Sequence, residues 1–156
     1  MRRMSWIGPA VAIALALGGS QRIGARIDHD DERSQRPCGL ETLDGDYGIQ
    51  LQGTRPAGGG QFESVIGVVR RTYDGHGSFT QVSNVHGSIN GTVPDLESFG
   101  TYDVNPDCTA ATHETVGTLR IESRLVIVHG GREVFASVVS PLPSMVNAIQ
   151  KKIDGR

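Results

Sequence analysis

Apolar residues along this chain recur mostly at every second position, the period of a half-buried strand. Tyr47, Ile49 and Leu51 share one face of residues 47–52, after a turn at Asp44-Gly45-Asp46. Residues 53–60 carry Pro56 and the glycine run Gly58-Gly59-Gly60 and read as a flexible loop. Residues 61–73 form the longest β-like run, centred on Val65, Ile66, Val68 and Val69, and Asp74-Gly75-His76-Gly77 closes it with a hairpin signal. The return over 78–86 places Phe79, Gln81, Ser83 and Val85 on one face and Thr80, Val82, Asn84 and His86 on the other. Neither face is cleanly apolar, which suits a barrel with a partly polar lumen.

Residues 87–99, with Asn90-Gly91 and Pro94-Asp95, read as a longer connection. A strand follows at 100–104, with Tyr102 and Val104 on one side, and breaks at the Asn105-Pro106-Asp107 turn that delivers Cys108. Residues 110–122 read as one strand interrupted at Gly117, and 124–129 as another. Gly130-Gly131 then turns the chain into 132–140. Beyond Pro141-Leu142-Pro143, Met145, Ile149 and Ile153 stand at helical spacing, yet Val146 and Ala148 also fit an extended return. The expectation is all-β: a single antiparallel meander of about eight strands closing into a barrel.

Composition adds a compartment. The chain has 156 residues, 37% of them hydrophobic, and a formal net charge of -2, within the range of one domain with an ordinary core. No basic stripe is present, which argues against nucleic acid as a partner. Met1-Arg2-Arg3-Met4 is a cationic start, Ile7 to Leu17 is too short to span a bilayer, and small residues follow. The pattern predicts a signal peptide over 1–18, with cleavage as late as 25, and no stable membrane insertion once it is removed. Residues 19–37 interleave Asp and Glu with Arg and read as a charged, disordered linker, leaving 38–153 as the barrel domain. Export places the protein in an extracellular or periplasmic space, where Cys38 and Cys108, the two cysteines, are expected to join.

Candidate chemistry is thin. His29, His76, His86, His113 and His129 form neither His-x-His nor His-Glu-x-x-His, and no metal or cofactor is expected. There is no Gly-x-Ser-x-Gly elbow. Glu63, Asp103, Glu122 and Glu133 are the carboxylates nearest strands, and a desolvated one inside a barrel can act as a base. Tyr47, Gln81, Asn84 and Tyr102 are the candidate ligand-binding residues. Gln81 and Asn84 fall on opposite faces, so at most one points inward. Asn90-Gly91-Thr92 matches a glycosylation sequon, a motif common by chance.

Four segments taken together carry a resemblance. They are Leu43-Asp44-Gly45-Asp46-Tyr47-Gly48, Tyr73-Asp74-Gly75-His76-Gly77, the block from Gly100 to Thr109, and Gly130-Gly131-Arg132-Glu133. In order and spacing they resemble a family of small secreted bacterial proteins of uncharacterised function. The block departs from the family's pattern at Ala110, where glycine is usual. The resemblance implies that 145–153 is a closing strand and that the barrel is similar to the calycin-like folds of allene oxide cyclase and the dirigent proteins, a likeness of fold that transfers no catalytic residue. It leaves three functional expectations: binding of a small, mostly apolar ligand; a cyclase or isomerase that uses the lumen, with the balance leaning away from an enzyme; or a structural or partner-binding surface protein with a filled lumen.

Overall fold

In the computed structural model the described residues are 37–153. The expected signal peptide and all of the expected linker except Pro37 lie outside them. Eight strands run antiparallel, each hydrogen-bonded to the next, and the last pairs with the first. They are β1 (Asp44–Gly58), β2 (Gln61–Asp74), β3 (Ser78–Gly87), β4 (Gly91–Val104), β5 (Thr109–Val116), β6 (Leu119–Val128), β7 (Glu133–Ser140) and β8 (Met145–Lys152). Closure comes from β8 lying along β1, from Thr54 opposite Met145 to Tyr47 opposite Lys152. A closed meander leaves no strand edge to pair with another chain. The expected all-β meander barrel is the fold, and 145–153 is strand rather than helix.

Side-chain parity sets what fills the barrel. In β2, Glu63, Val65, Val69, Arg71 and Tyr73 are buried, while Ser64, Ile66, Val68, Arg70 and Thr72 face out. The outer face carries charge, including an Arg70–Asp46 ion pair of 2.7 Å. Among the described residues no helix is long and apolar enough to cross a membrane.

Three boundaries differ from the sequence expectation. β1 runs on to Gly58 through the expected flexible loop, because its ladder with β2 continues past Arg55, opposite Glu63. Residues 110–122 are not one strand: Gly117, at φ 59°, sits in a tight turn between β5 and β6, so 124–128 continues the strand that starts at Leu119, and His129 opens a 3-10 turn. The connection expected over 87–99 is mostly β4. Pro94 has no N–H to donate and Asp95 has φ 48°, so the pair is absorbed as a bulge. The ladder accordingly slips between Ser83 and Val85. Asn84 holds the bulge: its Oδ1 accepts from the Asp95 N–H at 3.1 Å.

One end of the barrel is shut. Tyr47, Tyr73, Phe79 and Tyr102 pack there with Leu43, Leu125, Ile127 and Val134. Tyr73 stands edge-on to Tyr47 and Tyr102, with ring centroids 5.2 and 5.0 Å away, a favoured aromatic geometry. Gly100 leaves room for this packing, since a Cβ there would lie 2.6 Å from the Phe79 ring. A 3-10 turn at Leu40–Thr42 lies over the end. The Tyr102 hydroxyl, shared between the carbonyls of Leu40 (3.0 Å) and Leu43 (2.9 Å), ties that turn down. Tyr47 donates to the Gly131 carbonyl at 2.6 Å, and burial pushes its phenol well above the ordinary value.

The expected disulfide is present. Cys38 and Cys108 are joined with Cα atoms 5.0 Å apart. Cys108 sits at φ 65°, held by its N–H to the Asn105 carbonyl (2.9 Å) and its carbonyl to the Ile127 N–H (2.9 Å). The bond thus fastens the segment that covers the shut end to the β4–β5 turn. It closes a loop across a sequence separation of 70, worth about 4 kcal/mol by chain entropy. Urea unfolding with and without reductant should differ by about that amount; equal stabilities would mean that the covering segment holds without its tether.

Candidate functional site: a half-filled lumen

Above the aromatic end the lumen changes character twice. The first change is a polar layer. Arg71 and Glu114 have side chains only 9% and 12% exposed and meet at 3.3 Å. The Arg71 guanidinium lies 4.1 Å above the Phe79 ring centroid, a cation–π contact strengthened by desolvation. Its Nε donates to Gln81 Oε1 at 2.7 Å and its Nη1 to the Tyr73 hydroxyl at 3.1 Å. Glu114 in turn accepts from Gln81 Nε2 at 2.6 Å and from the Ser98 hydroxyl at 2.9 Å. The Tyr73 hydroxyl donates in turn to Gln150 Oε1 at 3.0 Å. Arg71, Gln81, Ser98 and Gln150 are all buried. The buried charge is therefore matched and hydrogen-bonded on every side, as burial demands.

The second change is a cavity of about 220 Å³. Its walls are chiefly aliphatic, among them Leu51, Val69, Val85, Ile121, Val138 and Val146, and its floor is the layer of Arg71, Gln81, Glu114 and Gln150. An apolar enclosure with a few convergent polar groups is the usual form of a small-molecule site.

The far end is fastened by a carboxylate. Glu63 is 1% exposed and takes bonds from Arg55 Nε (2.7 Å), the Ile89 N–H (3.1 Å), the Asn90 N–H (2.9 Å) and Asn90 Nδ2 (3.1 Å). Successive backbone N–H groups aimed at one carboxylate form an anion nest. These bonds, the Asn90 N–H foremost, hold the Glu63 carboxyl down to about 2. Gly87 is glycine because a Cβ there would overlap Glu63 Oε2. The sequon asparagine is thus engaged through its own side-chain nitrogen, in a bond that pins the β3–β4 turn beside the cavity mouth.

The candidate residues named from sequence separate in space. Gln81 lies in the cavity floor. Tyr47 and Tyr102 belong to the aromatic packing below that floor. Asn84 is on the outer face, as alternation with Gln81 requires, and serves the β4 bulge. Of the carboxylates, Glu63 is at the mouth, Asp103 is exposed, Glu122 lies 3.7 Å from His113, and Glu133 pairs outside the barrel with Lys151 at 3.7 Å. His76, His86, His113 and His129 are all exposed, and no group of three or more His, Cys, Asp or Glu among the described residues converges on a metal position. Arg71, Glu114 and Gln150 were not singled out from sequence. Their signal was parity: Arg71 shares the alternation of Val65, Val69 and Tyr73, a charge at a position where the pattern demands a core residue.

No model of a known protein family matches the chain, and no curated protein does.

The Glu63 clamp predicts an acid dependence. With its folded value near 2 against an ordinary 4.5, Glu63 stabilises the fold fully above the ordinary value and loses that contribution as pH falls through the folded one. Melting temperature followed against pH should fall more steeply between those values for the native chain than for Glu63→Gln, which should also melt lower at neutral pH. Parallel acid limbs would show that the clamp does not contribute.

Proposed function

We propose that this chain is an exported barrel that holds a small, mostly apolar ligand in its lumen. One observation carries the reading: the lumen is filled and sealed at one end, yet keeps an aliphatic cavity above a buried polar floor. A protein that needed only a rigid surface would gain from filling that space, since unfilled apolar volume costs contacts. An engineered apolar cavity of about 150 Å³ accepts benzene, so this one suits about ten non-hydrogen atoms. Export is supported by the disulfide, which persists in oxidising compartments.

A cyclase or isomerase is the second reading, favoured by the presence of Glu114 in the cavity floor. Both Glu114 oxygens already accept hydrogen bonds, from Gln81, Ser98 and Arg71. A carboxylate so engaged is suited to holding Arg71 in place rather than to taking a proton from a substrate.

Naphthalene is of the right size to probe the lumen. Its fluorescence should respond saturably to the native protein. Ala148 lines the cavity, and Ala148→Phe should abolish the response while leaving a cooperative melt. Naphthalene binding unchanged in that variant would mean that the ligand sits elsewhere.

A further inference from the structure

We propose that the ligand is an electrically neutral molecule whose polar end is a hydrogen-bond acceptor, a carbonyl group being the best match. The inference rests on the lumen reading and deepens it to a ligand class. It follows from what the polar floor has used and what it has left over.

The orientation of Gln150 is fixed by its neighbours. Arg71 Nη1 donates to the Tyr73 hydroxyl at 3.1 Å, so Tyr73 must send its one proton elsewhere, and Gln150 lies 3.0 Å away. That contact requires the carboxamide oxygen, which turns Gln150 Nε2 away from Tyr73. Gln150 is 2% exposed and lines the cavity, yet its Nε2 makes no hydrogen bond to any described residue. Ser83, 6% exposed and also lining the cavity, accepts from Gln81 Nε2 at 3.2 Å. Its own hydroxyl proton has no acceptor among the described residues. No acceptor of the floor is without a partner, though each amide oxygen keeps a second lone pair. Gln81 Oε1, Gln150 Oε1 and both Glu114 oxygens each already take a bond. The floor therefore offers donors to the lumen. Neither donor is sealed off, since the one buried side-chain polar atom without a partner among the described residues is Thr54 Oγ1; both open onto the lumen, where a ligand oxygen can take the place of water on them.

Charge narrows the choice further. Two cations line the cavity and both are matched: Arg71 in the floor by Glu114 at 3.3 Å, and Arg55 towards the mouth by Glu63 at 2.7 Å. A carboxylate ligand would bring a second negative charge into a layer already balanced, and an ammonium a second positive one, each without a partner. A ketone, aldehyde or ester supplies the acceptor and no charge. The aliphatic walls then enclose a hydrocarbon body of about ten non-hydrogen atoms.

Three compounds of similar size separate the possibilities: p-menthane, menthone and 4-ethylcyclohexanecarboxylate, each competing against naphthalene. Menthone should bind about tenfold more tightly than p-menthane, the worth of one well-placed hydrogen bond, and the carboxylate should compete more weakly than either. Gln150→Leu should erase the menthone advantage while p-menthane still binds, which also reports that the variant is folded. Ser83→Ala, a smaller change, should reduce the same advantage and keeps the test available if Gln150→Leu does not fold. Equal affinities for menthone and p-menthane would overturn the carbonyl assignment and leave the lumen reading standing. Tightest binding of the carboxylate would overturn neutrality. No competition by any of the three, with a cooperative melt intact, would overturn the lumen reading itself and this inference with it.

Discussion

The structure depends on how one buried charge is matched. Arg71 enters the lumen because it occupies a core position of β2, directly above Tyr73 in the alternation. Left alone there, a guanidinium would cost more than the barrel's margin of stability. Glu114 from β5, Gln81 from β3 and the Phe79 ring surround it, and each of those positions is then committed. The layer spans the lumen, and in doing so it divides the interior into a packed end and a cavity. A large apolar residue at position 71 would extend the aromatic packing upward and leave no polar floor for a ligand to address.

The two ends of the barrel are held by different physics. At the shut end the constraint is covalent and aromatic: the Cys38–Cys108 bond ties the covering segment to the β4–β5 turn, and the Tyr102 hydroxyl binds the backbone of that segment. Burial raises the Tyr47 and Tyr102 phenols, and the core residues of this end include no carboxylate. At the mouth the constraint is one carboxylate, Glu63, gathering the backbone of the β3–β4 turn. On the proposed function, the ligand path belongs at the end held by a few hydrogen bonds rather than at the end held by a disulfide and a hydrophobic plug.

The fold was legible in sequence because period-two alternation and hairpin turns are local signals. β2 and β3 around Asp74-Gly75-His76-Gly77 read directly, and Asp74 Oδ1 does accept the N–H groups of His76 and Ser78 that such a turn leaves free. Two of the three missed boundaries share a cause. Pro56 and Pro94-Asp95 look like loop residues locally, but the ladder continues through them, with Pro94-Asp95 absorbed in a bulge whose geometry is set by a distant strand. Site residues were harder for a related reason. Tyr47 and Tyr102 carry a pocket-like chemistry, yet which level of the barrel a residue occupies depends on register between strands, and register is not a local property. Gln81 reads correctly as a floor residue only once Arg71 and Glu114 are seen to meet it.

Methyl-resolved NMR during a naphthalene titration tests the central claim most directly, because it reads each level of the barrel separately. Shifts confined to Leu51, Val69, Ile121 and Val138, with Leu43, Ile127 and Val134 in the packed end unmoved, are the predicted result. Shifts at the outward-facing Ile66 and Val68, with the lumen methyls silent, would contradict it.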